Sequence, residues 1–232
     1  MTYDWQAGLA LLALIIVLTK VAKWLAFLVP ALSQERSKNL ELDKPKLAQP
    51  KYKPTIKANQ RVGLFSNLAY FFVYAPFFVT LEAQPWWRAP LDIFLMLMVY
   101  DFFYYLMHRF LFHGQGYFRR VHALHHQARS PTYIDAHYVH PLETFMGLNL
   151  FLLMTPALAL VMGDLHVVTV AVCYVVYVQL NQINHCKIEL PFFPYRSLTW
   201  ISEKHAVHHE NMHKGNYATI TLLYDKLFGT LD

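Results

Sequence analysis

At 232 residues the chain is long enough for one domain or one membrane unit. It is 56% hydrophobic and 16% aromatic but only 15% charged, where an average soluble domain carries about 25% charge. That balance argues against an ordinary soluble domain. The net charge of +5 comes with no groove-reading module, so nucleic acid is not an expected partner.

Five apolar runs follow one another along the chain: Gln6–Leu28, Leu64–Leu81, Leu91–Met107, Leu142–Met162 and Leu165–Leu180. A membrane-spanning helix needs about 20 mostly apolar residues, so each is a candidate span. The first run carries Lys20 and Lys23, whose long stems can reach one interface. Met1–Trp5 has no basic residue ahead of that run, so a retained helix with its N-terminus outside is expected rather than a cleaved signal.

Residues 33–61 hold eight of the twenty Lys and Arg residues. Pro45, Pro50 and Pro54 predict an extended basic arm here, placed against anionic headgroups. Positive residues favour the inner side, which puts 33–61, 108–141 and 181–232 in the cytoplasm. The expected organisation is a membrane helix with its basic arm over 1–62 and a catalytic unit over 63–232. Cys173 and Cys186 have neither metal-site nor disulfide-framework spacing.

Of thirteen histidines, only His166 falls on the far side. The others gather where the spans emerge. Two segments, "HALHH" (122–126) and "HAVHH" (205–209), repeat His-x-x-His-His, which a chain of this composition yields by chance roughly 0.04 times. On a helix, positions i, i+3 and i+4 share a face, so each triplet can serve one metal or bridge two. So many imidazoles at one interface would repel one another if protonated; a bound metal holds them neutral and together. His108 and His113 stand about 140° apart on an ideal helix and converge only if it loosens before Gly114. The fifth run ends on His185. Nine histidines exceed one zinc site and fit two metals with four or five imidazoles each. Ligand type alone leaves zinc, copper and iron open. A metal pair at a bilayer face suits O₂ chemistry on an unactivated C–H bond, which favours iron.

Among the carboxylates, Asp135, Glu143, Glu203, Glu210 and Asp225 lie near the motifs as possible partners of the free imidazole N–H groups, with Glu203 and Glu210 the most plausible solvated charges. Asp101 lies inside a span, one helical face with His108, and is expected below the metals near Tyr104 or Tyr105. Tyr104, Tyr105 and Trp200 read first as interfacial belt residues.

The segments "HRFLFH" (108–113), "HALHH" (122–126), "AHYVHPLE" (136–143), "NHCKIELP" (184–191), "HAVHH" (205–209) and "GNYATITLLYDKLFGT" (215–230) resemble the fatty acid hydroxylase / sterol desaturase superfamily of membrane di-iron oxygenases. The resemblance covers about residues 91–230. It implies an all-α integral membrane fold, with four to five transmembrane helices and a cytoplasmic helical cap around a di-metal site. It implies two iron ions held by His108, His113, His122, His125, His126, His185, His205, His208 and His209, with O₂ as co-substrate. His140, in the His-Pro-x-Glu position, is a weaker candidate, as a further metal ligand or a residue supporting one, and is expected with Asp101 in a catalytic role. Asn181 stands where fatty acid 2-hydroxylases carry a further histidine. The implied activity is hydroxylation or desaturation of a sterol-like or fatty-acyl lipid. With no flavin, haem or iron–sulfur motif, electrons must come from a cytochrome b5-like protein, a ferredoxin or a reductase. The expected location is a bacterial inner membrane or the endoplasmic reticulum. The rival readings are a membrane metal transporter and a metal-binding structural protein.

Overall fold

A computed structural model describes residues 2–232; Met1 lies outside the described residues. α1 (Trp5–Leu28) begins where the Asp4 carboxylate accepts the Ala7 N–H at 2.9 Å, an N-cap. It is apolar around its whole circumference, with Leu9, Val17 and Trp24 exposed and Leu11 fully buried. An all-round apolar helix of this length belongs in a membrane. Gly8 lets α1 press against Pro76, since a Cβ there would lie 2.8 Å from the proline ring.

Residues 30–69 correct the expectation of an extended arm. They form α2 (Pro30–Leu47) and α3 (Tyr52–Ala69), separated by a short turn containing Pro50. Pro30 opens α2 and Pro54 sits in the first turn of α3, where the missing N–H has no helical acceptor to lose. Only Pro45 lies inside a helix, near its end. The arm grips the rest of the chain. Asn39 exchanges hydrogen bonds with the Lys187 backbone, at 2.9 Å each way. Asp43 accepts from Thr132 and Ile134, and Asn59 donates to the His137 and Val139 carbonyls. α3 runs through residues 62 and 63 without a break.

The run at Leu64–Leu81 is not a separate spanning helix. Its helical part continues α3 through a π-helical turn (Tyr70–Tyr74) and a 3₁₀ turn (Ala75–Phe77). The other runs are long, apolar helices of spanning length, making four with α1. They are α4 (Arg88–Leu106), extended to Phe112; α6 (Pro141–Leu152) with α7 (Met154–Met162); and α8 (Val167–His185). Short connecting segments pair in parallel, Val79 with Leu165 and Thr80 with His166, tying the loop before α4 to the loop before α8.

α8 packs against α1, α4 and α9 (Arg196–Glu210), with Val170, Ala171 and Cys173 fully buried. Tyr100, Phe151 and Tyr177 interlock beside it, Phe151 and Tyr177 stacked at 4.2 Å. A short α5 (Tyr117–His122) and a short α10 (Leu223–Leu227) complete the helices. Large apolar side chains remain outward on the spans, with Leu160 and Val161 67% and 83% exposed. The chain is a multi-pass membrane protein.

Candidate metal centre

Four segments deliver the histidines to one end of the helix bundle. α4 passes into a π-helical turn over Met107–Phe112, closed by the His113 N–H donating to the His108 carbonyl at 2.9 Å. This i→i+5 turn is the loosening that an i, i+5 pair requires. It brings the His108 and His113 rings to 4.9 Å. His122 ends α5, and His125 and His126 follow in a 3₁₀ turn. His185 ends α8, and His205, His208 and His209 lie on α9.

The nine side chains form two groups. His108, His113, His122, His126 and His208 make the first, and His125, His185, His205 and His209 the second. Within each group one nitrogen per ring lies within 4.8 Å of the others. Each triplet is divided between the groups: His122 and His126 join the first while His125 joins the second, and His208 joins the first while His205 and His209 join the second.

The rings are oriented from behind. His108 Nδ1 donates to the Tyr217 carbonyl, His113 Nδ1 to Met212, His185 Nδ1 to Asn181 and His208 Nδ1 to Gly215, at 2.7–2.8 Å. His125 Nδ1 reaches the Tyr138 carbonyl at 3.2 Å, and His122 Nδ1 lies 2.6 Å from Glu143 Oε1. A carbonyl only accepts, so Nδ1 carries the proton and a neutral ring presents a bare lone pair at Nε2. Those Nε2 atoms face one another: His108 to His122 at 3.0 Å, His122 to His113 at 3.1 Å, His185 to His125 at 3.0 Å. Opposed lone pairs this close repel unless a cation lies among them. The donor set therefore fits two metal ions, with the outer nitrogens held in the manner of metal-ligating imidazoles.

Burial also keeps the rings in the ligating state. Desolvation lowers His113 and His122 from the ordinary 6.5 to about 3. It lowers His125, His126, His205, His208 and His209 in the same direction, reinforced for most of them by neighbouring histidines. A ring that resists protonation keeps its lone pair for a metal.

A cavity of about 240 Å³ opens from both groups toward the bundle. His108, His122, His125 and His185 line it together with the apolar or aromatic Tyr104, Leu148, Tyr177 and Val178 and the polar Asn67, Thr144, Asn181 and Gln182.

The chain matches the family model described as fatty acid hydroxylase over residues 93–230, more than half of its length. It belongs to the fatty acid hydroxylase family. That family comprises di-iron, O₂-dependent hydroxylases. Among curated proteins the chain is 31% identical over 159 residues to Protein CER1-like 2 of Arabidopsis thaliana, covering 64% of this chain and 25% of that protein. It is 30% identical over 154 residues to Methylsterol monooxygenase 1 of Rattus norvegicus, covering 64% and 50%. It is 26% identical to a Cholesterol 25-hydroxylase-like protein of Danio rerio, covering 73% and 70%. The chain thus spans half or less of the first two relatives. No solved structure gives a significant match.

Asp101 and His140, the two residues expected in a catalytic role, belong to neither imidazole group. Asp101 does not pair with Tyr104 or Tyr105. Its oxygens accept the backbone N–H groups of Thr219, Ile220 and Thr221 and the Thr221 hydroxyl, at 2.8–3.0 Å. It anchors the C-terminal segment and is fully buried. His140 lies outside both groups and caps α6, its Nδ1 accepting the Leu142 N–H at 3.1 Å. His166 caps α8 through Val168 in the same way. Tyr104 and Tyr105 are not belt residues: Tyr104 lines the cavity, and Tyr105 is buried against Thr230 and Arg109.

Of the nearby carboxylates, Glu143 backs His122. Asp225 holds the Tyr217 and Ala218 N–H groups at 2.8 Å. Asp135 binds Tyr52 and Lys46. Glu203 and Glu210 are exposed. Sequence reasoning missed the carbonyls of Tyr138, Met212, Gly215 and Tyr217, which any residue type can supply.

Proposed function

We propose that this chain is a membrane-bound, O₂-dependent di-iron oxidoreductase that hydroxylates or desaturates a lipid. The observation that carries the reading is the pair of imidazole groups, five and four strong, opening on one shared cavity. His108, His113, His122, His126 and His208 would hold one iron, and His125, His185, His205 and His209 the other. Bound iron supplies O₂-dependent oxidation of an unactivated C–H bond.

The chain's own residues perform the rest. The carbonyls behind His108, His113, His185 and His208 fix tautomer and ring angle. Glu143 Oε1 lies 2.6 Å behind His122 Nδ1 as a hydrogen-bond partner, and its second oxygen, Oε2, is buried without a partner. Tyr104, Leu148, Tyr177 and Val178 give the cavity a hydrocarbon-compatible wall that excludes water around the substrate. Hydroxylation inserts one oxygen atom and releases the other as water, so electrons must arrive from outside. A cytochrome b5-like protein, a ferredoxin or a reductase fits that need.

The basic residues at the histidine end favour a cytoplasmic orientation for that face, and residues 63–232 contain every proposed ligand. The names of the relatives, methylsterol monooxygenase and cholesterol 25-hydroxylase-like protein, support a lipid oxygenase over a metal transporter. The test is O₂ consumption by the iron-loaded protein in lipid vesicles with a reductant. Membrane lipids are read by mass spectrometry for a gain of one oxygen or a loss of two hydrogens. Metal-dependent O₂ uptake with such a product supports the reading. Metal accumulation inside vesicles with no altered lipid contradicts it.

A further inference from the structure

A second cavity, of about 380 Å³, lies between the end of α1, the start of α2 and α8. Ala26, Phe27, Leu32, Leu40, Ile183 and Leu198 give it apolar walls. Its volume is in the range of small-ligand sites. Gln182 lines this cavity and the histidine-lined one alike, and its Oε1 accepts from the Tyr133 hydroxyl at 3.4 Å. The two spaces are therefore neighbours divided by the Tyr133–Gln182 pair.

Two independent features point to what occupies it. Gln179 lines the cavity with its Nε2 donor buried and unpartnered. A buried amide of this kind is normally satisfied. Lys23 and Arg36 also line it, and neither forms an ion pair among the described residues. Arg36 lies over the Phe27 ring at 4.5 Å. Glu35, the acidic neighbour, is committed to the Glu189 N–H at 3.1 Å. An apolar chamber lined by two cations outside any ion pair, one carboxylate already held by a backbone N–H, and an unsatisfied amide donor matches a hydrocarbon chain ending in a carboxylate.

We propose that this cavity is a docking chamber for a single-chain lipid carboxylate, with Tyr133 and Gln182 as the partition between it and the histidine-lined cavity. Lys23, Arg36 and Gln179 receive the carboxylate, and the walls of α1, α2 and α8 hold the chain. That the partition leads toward a reacting centre rests on the oxygenase reading; binding in the chamber does not.

The full chain in phosphatidylcholine vesicles is photolysed with diazirine-bearing palmitate, and adducts are mapped by peptide mass spectrometry. Adducts are expected at Leu40, Ile183 and Leu198. Unlabelled palmitate should displace them and its methyl ester should not. The Lys23→Gln, Arg36→Gln double variant should reduce them on the order of tenfold, since it removes both cations. Ile183→Trp, which fills the chamber, should do the same. Iron is measured in the same samples, so loss of adduct at unchanged iron content isolates the chamber from the metal centre. Adducts confined to outward faces such as Leu9, Val17 and Leu160 would overturn the proposal. So would equal displacement by the methyl ester or by a sterol, or undiminished labelling in both variants.

Discussion

Thr221 donates both its backbone N–H and its hydroxyl to one oxygen of Asp101, at 3.0 and 2.9 Å, across 120 residues of sequence. The other oxygen takes the Thr219 and Ile220 N–H groups. A carboxylate inside a span thereby fastens the C-terminal segment, whose Tyr217 carbonyl orients His108. Asp101→Asn keeps the shape but turns one acceptor into a donor facing N–H groups. It should lower stability by about 1.5–3 kcal/mol, the scale of a hydrogen bond to a charged group. Thermal unfolding in vesicles, read beside metal content, checks this; an unchanged midpoint would deny the anchor.

Gly215 sits where a Cβ would meet the Thr230 carbonyl oxygen at 1.8 Å. Its own carbonyl accepts from His208, and the Asn216 N–H next to it donates to Thr230 at 2.9 Å. Gly215→Ala must push the C-terminus away and disturb His208. A loss of about 1–3 kcal/mol is expected, as for overpacking elsewhere, together with weaker metal binding. Denaturant unfolding and metal titration measure the two effects.

Glu143 touches His122 but belongs to neither imidazole group. Glu143→Gln retains one oxygen acceptor but replaces the second carboxyl oxygen with an amide donor. Metal affinity should fall about 10–100-fold, as for other residues that back metal-bound histidines, while the apo fold stays intact. Competition with a graded series of chelators reads the affinity, and circular dichroism reads the fold.

The metal-free protein should be acid-sensitive. His113 and His122 are lowered to about 3 in the folded chain from 6.5. Between those values the unfolded state binds more protons, so stability is full above about pH 6.5 and is lost as pH falls toward 3. Bound metal competes with protons for the same nitrogens and should move the transition to lower pH. Unfolding midpoints across pH, with and without iron, give the comparison. A pH-independent midpoint in the apo protein would contradict it.

Much of this site was legible because imidazole is a rare and recognisable side chain. The i, i+3, i+4 spacing of His205, His208 and His209 needed only a helix, and α9 provides it. His108 and His113 needed a π turn, which their spacing required but no local propensity announced. The division of each triplet between two groups depends on how four segments meet, so tertiary packing alone reveals it. The arm is helical despite its three prolines because of where they fall: Pro54 in a first turn, Pro50 in the turn between the helices and Pro45 near a helix's end. Asp101 stands out in the sequence as a carboxylate inside a span. Its partners were missed because they are backbone N–H groups, which carry no mark in the sequence.

The central claim is that nine histidines hold two metal ions, and iron per chain is its most direct measure. Elemental analysis of the purified full-length protein should give two irons. His208→Ala in the five-membered group and His209→Ala in the four-membered group should each lower that number, while His166→Ala should leave it unchanged. Two irons retained when both His208 and His209 are replaced, or a wild-type chain that binds none when iron is supplied, would contradict the account.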